Sequence, residues 1–219
     1  AGSHGVQRVA VIGAGSAAIL VYDAILKRSD QVVVCFFDNY KSNNYRIAGV
    51  GVEGLATAES IYSKFKDNLF DAVVISPGLL PFRKDLFEEL IRLEVPFANV
   101  IHPSVEIGTN VEIGFGNVIF GGTMIGPRTK IGNNNFIATR CNFEHDNEIL
   151  DHNSFGPSVT TSGFVSIGSC LLFGTGIFIE PSLKIGSNSI ISSGSIIQKD
   201  IPDNVIFKTK INTVIKNRR

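Results

Sequence analysis

Tryptophan is absent from this 219-residue chain, methionine occurs once, and the three cysteines lie far apart in no Cys-x-x-Cys pattern. An odd number of cysteines without metal-ligand spacing is typical of reduced thiols in a cytosolic protein, so we expect neither a disulfide framework nor a metal site. No apolar run is long enough to span a membrane and no signal peptide is evident, which predicts a cytoplasmic protein. Residues 1–4, Ala-Gly-Ser-His, resemble a vector remnant, and we expect them to take no part in the fold.

Neither sign of charge is in surplus, since 20 Lys+Arg balance 20 Asp+Glu. A protein that binds nucleic acid normally carries a basic excess, so we expect no nucleic-acid partner. Charged residues make up 18% of the chain and apolar residues 44%, which is an ordinary globular composition. Glycine, by contrast, is abundant with 22 residues.

The first half of the chain alternates short apolar runs with longer amphipathic stretches. The pattern predicts strands at 9–12, 32–37, 72–76 and 97–101, and helices over 16–28, 57–66 and 83–93. Strands that alternate with helices form βαβ units, hence a parallel sheet covered by helices. Residues 7–101 are therefore predicted to form a small Rossmann-like α/β domain with a truncated, four-stranded sheet.

From Ile101 the rhythm changes to a strict period of six. Of the 17 positions reached in steps of six from residue 101 to residue 197, thirteen are isoleucine, three are phenylalanine and one is Thr161. Neither the helical period of 3.6 nor the strand period of 2 explains this spacing, whereas a hexapeptide parallel β-helix does. Residues 102–206 are thus predicted to form a β-helix with the repeating residue inside.

Two further features accompany the repeat. Glycine follows the repeating residue at eight of the 17 positions, and we expect it to let the chain turn the corners without a Cβ penalty. Residues 207–219 leave the pattern as a tail with several Lys and Arg and no acid. This tail is either a solvated end or a set of cations near a phosphate ligand.

One histidine within the repeats has a carboxylate on each side in sequence. His145 follows Glu144 and precedes Asp146. A carboxylate bonded to one imidazole nitrogen fixes the tautomer and raises the basicity of the ring, so His145 is a candidate general base. The alternative is a surface histidine between acids on a solvated face. His152 is predicted to lie in a polar turn, and His102 at the hinge into the repeats.

A Gly-Ala-Gly motif ends the first predicted strand. Gly13 and Gly15 stand where an α/β sheet binds phosphate with the amides of the following helix. The motif lacks the third glycine of a dinucleotide fingerprint. Asp38 ends the second strand, where such folds direct a carboxylate at a ligand, so Asp38 is either a ligand contact or a turn former.

Taken together, the chain resembles the sugar O-acyltransferase family that contains the sialic acid O-acetyltransferases and the bacterial nucleotide-aminosugar N-acetyltransferases. Those N-acetyltransferases act on UDP-4-amino sugars (bacillosamine), dTDP-4-amino-4,6-dideoxyglucose or GDP-perosamine. The resemblance spans residues 8–206 and is carried by Val-Ile-Gly-Ala-Gly at 11–15, Phe-Asp at 37–38, Ile-His-Pro-Ser at 101–104, Glu-His-Asp at 144–146 and Ser-Gly-Ser-Ile-Ile at 193–197.

The resemblance implies a left-handed β-helix, a homotrimer with sites between neighbouring subunits, and a place in surface polysaccharide biosynthesis. It implies direct transfer from acetyl-CoA to the 4-amino group of a UDP-, dTDP- or GDP-linked 4-amino-4,6-dideoxy sugar, without an acyl-enzyme and without a metal. Two readings remain beside it, namely O-acetylation of a free sugar such as sialic acid and a non-catalytic trimeric scaffold.

The resemblance also implies residue roles by position. The catalytic residues are His145 as general base, Asp146 as its orienting acid and Gly163 as oxyanion donor through its backbone N–H. The remaining positions are substrate-binding Gly13, Gly15, Asp38 and Ser154, and cofactor-binding Gly163, Ser193 and Lys208. At residue 154 the family usually has a second histidine, nine residues after the first.

Overall fold

The computed structural model describes residues 5–210 and 213–217. The expected vector remnant at residues 1–4 and four residues of the basic tail (211, 212, 218 and 219) lie outside the described residues. In the part of the chain that the structure describes, no helix is long and apolar enough to cross a membrane.

The first part of the chain is an α/β sandwich. Its elements, in chain order, are β1 (Gln7–Ile12), α1 (Ser16–Leu26), β2 (Gln31–Phe37), β3 (Arg46–Ile47), β4 (Val50–Gly54), α2 (Ala58–Lys66), β5 (Ala72–Ile75) and α3 (Leu80–Arg92). The sheet has the order β3-β4-β2-β1-β5, with every pair parallel except β3 and β4. Strand β1 lies between β2 and β5, and its last four residues are fully buried, as expected where helices cover both faces of a parallel sheet.

The second part is a triangular prism of two-residue strands joined by tight turns. These are β6 (Val100–Ile101), β7 (Glu106–Ile107), β8 (Glu112–Ile113), β9 (Val118–Ile119), β10 (Met124–Ile125), β11 (Lys130–Ile131), β12 (Phe136–Ile137), β13 (Asn142–Phe143), β14 (Glu148–Ile149), β15 (Ser154–Phe155), β16 (Thr160–Thr161), β17 (Ser166–Ile167), β18 (Leu172–Phe173), β19 (Phe178–Ile179), β20 (Lys184–Ile185), β21 (Ile190–Ile191), β22 (Ile196–Ile197) and β23 (Ile206–Phe207).

Every third strand shares a face of the prism. The first face is β6-β9-β12-β15-β18-β21-β23, the second is β7-β10-β13-β16-β19-β22, and the third is β8-β11-β14-β17-β20. All neighbours are parallel and 18 residues apart up to β22, as in the pairing of Ile125 with Phe143. The fold is therefore a left-handed parallel β-helix of hexapeptide repeats preceded by a Rossmann-like sheet, as the sequence predicted.

The repeating residue points into the prism and stacks on its equivalents in the neighbouring coils. From Ile119 to Ile197 these side chains form one buried column. Ile107, near the start of the prism, is 48% exposed, although it occupies the same position of the repeat. The period of six therefore marks the inward position, and burial depends on a covering coil.

The predicted fourth strand of the α/β sheet is wrong. Only Phe97 reaches that sheet, through a single parallel bridge to Val73. Val100 and Ile101 instead pair with Val118 and Ile119 on the first face of the prism. The sheet gains strands β3 and β4 on its other side, which the sequence reading missed because residues 46–54 are short and rich in glycine. Strands β3 and β6 have only two residues each, and strands this short carry almost no periodicity.

The expected role of the repeat glycines is also wrong. The corner residue with positive φ stands three places after the inward residue and is often not glycine, as at Arg140 (φ 59) and Ser158 (φ 60). The glycines one place after the inward residue serve close stacking, since a Cβ on Gly156 would lie 2.7 Å from the Gly174 carbonyl oxygen of the next coil. They are glycine because coils of parallel strands approach within about 4.8 Å.

A ladder of buried asparagines satisfies the backbone at one corner of the prism. Asn117, Asn135 and Asn153 are fully buried and 18 residues apart. Each Oδ1 accepts a hydrogen bond from the backbone N–H one coil further on. The Asn135 N–H, for example, donates to the Asn117 Oδ1 at 2.9 Å. Each Nδ2 donates to a carbonyl oxygen, Leu150 in the case of Asn135. Buried polar groups require such partners, so these asparagines hold the coils together.

The α/β sheet rests on the first face of the prism. Val100, Val118, Phe120 and Phe136 pack into the same buried cluster as α1 and β1. Arg83 of α3 is completely buried at this junction. Its guanidinium donates to the Ile75 and Pro77 carbonyl oxygens and to the Oδ1 of Asn134 on the prism.

Candidate active site

His145 stands in the turn that leads from the second face of the prism to the third. Strand β13 precedes it and β14 follows it. Its ring is 42% exposed, and its carbonyl oxygen accepts the side-chain N–H of buried Asn147 at 2.9 Å and the Phe164 N–H at 3.2 Å. These two hydrogen bonds fix the backbone of the turn, while the imidazole of His145 remains accessible to solvent.

Asp146 orients the imidazole. The His145 Nδ1 lies 2.7 Å from Asp146 Oδ2. Asp146 itself has φ 51, a left-handed conformation, and its backbone N–H donates to the Pro127 carbonyl oxygen at 3.0 Å. Asp tolerates this conformation better than most residues. The carboxylate therefore selects the tautomer in which Nδ1 carries the proton and Nε2 is free to accept one.

A second cation completes this cluster. Arg128, one coil before Asp146, places Nε 2.7 Å from Oδ1 and Nη2 2.8 Å from Oδ2 of the same carboxylate. The Arg128 guanidinium first, and His145 second, hold the pKa of Asp146 well below its usual range. Asp146 is thus a carboxylate at neutral pH. The sequence reading missed Arg128 because it lies 18 residues from Asp146.

Gly163 lies against the other side of the imidazole, one coil after His145. A Cβ at this position would come within 2.6 Å of the His145 Nε2. Among the described residues, none accepts a backbone hydrogen bond from the Gly163 N–H. The Phe164 ring stands edge-on to the imidazole, with centroids 5.4 Å apart. The edge of the imidazole that carries Nε2 therefore lies against the Gly163 backbone, beside an exposed aromatic ring.

Gly13, Gly15 and Asp38 come together at the carboxyl end of the parallel sheet. Gly13 has φ 94 and packs so closely that a Cβ would lie 2.8 Å from the Ser76 hydroxyl. Gly15 is the N-cap of α1, where a Cβ would meet nothing within 4 Å. Asp38 accepts the N–H groups of Ala14, Tyr40 and Lys41.

Asp38 thus ties two loops together through its backbone contacts. Although burial acts to raise it, the pKa of Asp38 is lowered by these backbone N–H donors. The structure shows the turn-forming role directly, and the role of ligand contact stays a prediction.

The other predicted positions lie apart from His145. Ser154, on the first face, is 6% exposed, and a Cβ on Gly78 would lie 3.1 Å from its hydroxyl. Ser193 stands in the turn between the first and second faces, where its Oγ accepts the Thr175 N–H at 2.9 Å. Lys208 is exposed and directly follows β23. The Phe207 carbonyl oxygen accepts the Ser192 N–H, so Lys208 lies beside the turn that holds Ser193. Their predicted ligand roles remain predictions.

Two more residue types have clear positions. His152 is 8% exposed, with Nδ1 2.9 Å from the Nδ2 of Asn134, so it belongs to the junction between the two parts of the chain. Burial raises the pKa of the Cys35 and Cys141 thiols to about 12. Such thiols are poor nucleophiles at neutral pH.

Comparison with known proteins places this architecture in a class. No protein-family model matches the chain. SAR2635 of Staphylococcus aureus, a protein named as an acetyltransferase, is 31% identical over 152 residues, which cover 64% of this chain and 72% of that protein. The galactoside O-acetyltransferase of Lactococcus lactis is 46% identical over 46 residues, so the match spans 22% of that relative and 18% of this chain. The chain belongs to the acetyltransferases.

Solved structures extend the likeness to almost the whole chain. A histidine-to-asparagine variant of perosamine N-acetyltransferase from Caulobacter crescentus, in complex with CoA and GDP-perosamine, has a TM-score of 0.84 at 23% identity and covers 92% of this chain and 93% of its own. The acetyltransferase domain of PglB from Neisseria gonorrhoeae, in complex with acetyl coenzyme A, has a TM-score of 0.84 at 22% identity, covering 92% and 96%. At these identities the likeness establishes the shared fold.

Proposed function

We propose that the protein transfers an acetyl group from acetyl-CoA to the 4-amino group of a nucleotide-linked 4-amino-4,6-dideoxy sugar. The observation that carries this proposal is the grouping around His145, with Asp146 on Nδ1 and the Gly163 backbone against the Nε2 edge of the ring. An imidazole base and an adjacent amide donor are what attack on a thioester carbonyl requires. Perosamine N-acetyltransferase, with a similar fold, was crystallised with CoA and a nucleotide amino sugar.

The residues around His145 fit the acetyl thioester that acetyl-CoA supplies. The His145 ring lies where a side chain of residue 163 would stand, since a Cβ there would overlap the ring. In the proposed step the neutral sugar amine attacks the thioester carbonyl, and His145 Nε2 takes the proton released by the amine. The Gly163 N–H stabilises the oxyanion, which then collapses with cleavage of the C–S bond, and the proton passes to the departing thiolate.

Direct transfer is favoured over an acyl-enzyme. Cys35 and Cys141 are buried with raised pKa values, and neither takes part in the His145 cluster. The residue in contact with the Nδ1 side of the ring is a carboxylate, which orients the base. An amine acceptor is a good nucleophile once neutral, so the protein has to supply orientation, proton removal and oxyanion stabilisation only.

We propose that residues 7–101 form the domain that holds the nucleotide portion and that residues 102–206 carry out the transfer. Gly13, Gly15 and Asp38 border the nucleotide in this proposal. A Cβ on Gly13 would lie 2.9 Å from the Pro77 ring, and a Cβ on Gly78 would lie 3.1 Å from the Ser154 hydroxyl, so the Gly13 loop lies near the first face of the prism. His145 stands at the edge between the second and third faces, which is opposite the first face in a triangular prism.

One copy of the chain thus holds the two halves of the proposed site on different sides of the prism. A complete site then needs the Gly13 loops of one copy beside the His145 edge of another, and a homotrimer provides this arrangement three times. Ser193 and Lys208 are proposed to contact acetyl-CoA from a neighbouring copy. Sedimentation analysis tests this part, with a single trimeric species expected and a monomer contradicting it.

A thiol-release assay tests the activity. The protein is supplied with acetyl-CoA and, in turn, with UDP-, dTDP- and GDP-linked 4-amino-4,6-dideoxy sugars and free sialic acid. We expect turnover on one nucleotide amino sugar. Turnover on sialic acid alone would favour sugar O-acetylation instead, the activity class in the names of some relatives. No turnover together with no rise in Tm on adding acetyl-CoA would contradict the proposal.

The His145→Asn variant tests the base. We expect kcat to fall by about 10² to 10⁴, the usual contribution of general-base catalysis, with Tm retained because the ring is half-exposed. His152→Asn is the matched control, since His152 lies in the junction and outside the proposed site. An unchanged kcat in His145→Asn would overturn the assignment of the base.

A further inference from the structure

Arg128 and Asp146 are stacked at the same corner of consecutive coils. Both have left-handed backbone conformations, with φ 59 and φ 51. The Arg128 N–H donates to Thr109 O and the Asp146 N–H to Pro127 O, each to the preceding coil. The repeat itself therefore brings the guanidinium and the carboxylate together, and neither depends on a mobile loop.

The contact between them is a two-point ion pair. Arg128 Nε lies 2.7 Å from Oδ1, and Nη2 lies 2.8 Å from Oδ2. Parallel charge-assisted bonds of this kind fix the plane of a carboxylate as well as its position. Asp146 Oδ2 is also the atom that faces His145 Nδ1 at 2.7 Å. One oxygen is therefore shared between the guanidinium and the imidazole.

We propose that Arg128 is a positioning residue that fixes Asp146 Oδ2 on the His145 ring and offsets the carboxylate charge that the ring experiences. This inference rests on the proposed function only in so far as His145 is the base. A bare carboxylate would both orient the imidazole and strongly favour its protonated form, which cannot accept a proton. Arg128 leaves the imidazole oriented by Asp146, and its positive charge weakens the stabilisation that the carboxylate gives to the protonated ring.

The charges in the turns next to the His145 ring identify Arg128 as the group that offsets the Asp146 carboxylate. The charged residues of the His145 turn are Glu144, which is exposed, and Asp146. The neighbouring turn on one side contributes Arg128. The turn on the other side, residues 162–164, is Ser-Gly-Phe and carries no charge. Arg128 is thus the cation in contact with the carboxylate that orients His145.

The test compares Arg128→Met, Arg128→Lys and the control Arg140→Met. Arg140 has the same left-handed corner conformation, with φ 59, and among the described residues it has no carboxylate partner within ion-pair distance. The first readout is the NMR titration of the His145 ring, assigned by comparison with His145→Asn. This readout does not depend on activity. The second is the pH profile of kcat/KM.

In Arg128→Met we expect the titration midpoint of the His145 ring, and the acid limb of kcat/KM, to move to higher pH by about one unit. Arg140→Met is expected to leave both unchanged. In Arg128→Lys the charge remains but the two-point contact is lost. The midpoint should then stay in place while kcat falls several-fold. This variant decides the matter should Arg128→Met fail to fold.

Two results would overturn the inference. One is a midpoint in Arg128→Met equal to that of the unaltered protein. The other is a rise in the KM for acetyl-CoA at constant kcat and constant midpoint, which would make Arg128 a ligand contact. If the unaltered protein transfers no acetyl group but the midpoint still moves, the positioning role stands and the proposed function fails.

Discussion

The backbone of Gly163 lies directly against the imidazole of His145, one coil earlier in the chain, with no room for a β-carbon between them. In this fold a residue and its counterpart 18 positions later share the same corner. The geometry of the candidate site is therefore set by the stacking of coils. Residue 163 is its most sensitive position, because any side chain there would displace the His145 ring.

Gly163→Ala is expected to lower kcat by about 10², because a misplacement of the base by about 1 Å has an effect of that order. The new Cβ would lie within 2.6 Å of Nε2, and the half-exposed His145 ring can rotate away. Tm should change little for the same reason. Steady-state kinetics and thermal unfolding measure both quantities.

Gly156→Ala provides the contrast for that experiment. Its Cβ would meet the Gly174 backbone, which cannot move without disturbing the stacked coils. We expect a clear loss of Tm, with the activity of the folded fraction retained. Equal effects of the two substitutions on kcat would contradict the view that Gly163 acts by making room beside His145.

Asn135→Leu is expected to destabilise the protein by about 3 kcal/mol. The substitution leaves the Leu150 carbonyl oxygen without its donor and the Asn153 N–H without its acceptor, and each buried unsatisfied group costs about 1–3 kcal/mol. Urea unfolding measures the change. Asn44→Leu makes the same chemical change in an exposed turn, and should remain within about 0.5 kcal/mol of the unaltered protein. Equal stabilities of the two variants would show that the ladder contributes nothing.

His152 makes the stability of the junction depend on pH. Burial lowers the pKa of His152 from its ordinary value, while the nearby Asp151 and Glu88 act in the opposite direction and Lys84 and Arg83 assist burial. In the unfolded chain the His152 side chain has the ordinary histidine pKa of about 6.5. Below that pH His152 binds a proton in the unfolded state but not in the folded state. The free energy of unfolding therefore falls as the pH decreases from about 6.5 toward the lower pKa of His152 in the folded protein.

The His152→Asn variant isolates this effect. Asn accepts the left-handed conformation of this position, φ 62, and has no titratable group. We expect the drop in Tm between pH 7.5 and pH 5.5 to be smaller in the variant than in the unaltered protein. Identical drops would assign the pH dependence to other groups.

Several features were predictable because they depend on local spacing. The inward column from Ile119 to Ile197, the absence of a long insertion in the repeats, and the Gly13 turn after β1 all follow from patterns within a few residues. The cluster of His145 and Asp146 was predictable for the same reason, since they are adjacent in sequence.

Other features were not predictable because they depend on contacts between distant residues. Arg83 starts the helix predicted over residues 83–93, and it is completely buried against Asn134 of the prism. Val100 and Ile101 read as a continuation of the α/β sheet, yet they pair with β9. In each case the partner lies far away in the sequence, and the packing of the sheet on the prism brings the two together.

The sequence by itself determined the architecture, because a period of six with isoleucine inside specifies a three-sided coil and leaves few alternatives. It also pointed to His145, through the acids on either side. The resemblance to a known family named Gly163 as well. Only the tertiary structure decided that Arg128 shares Asp146 with that histidine. Residues 18 apart become neighbours only when the coils stack, and the free energy that stacks them comes from the buried column.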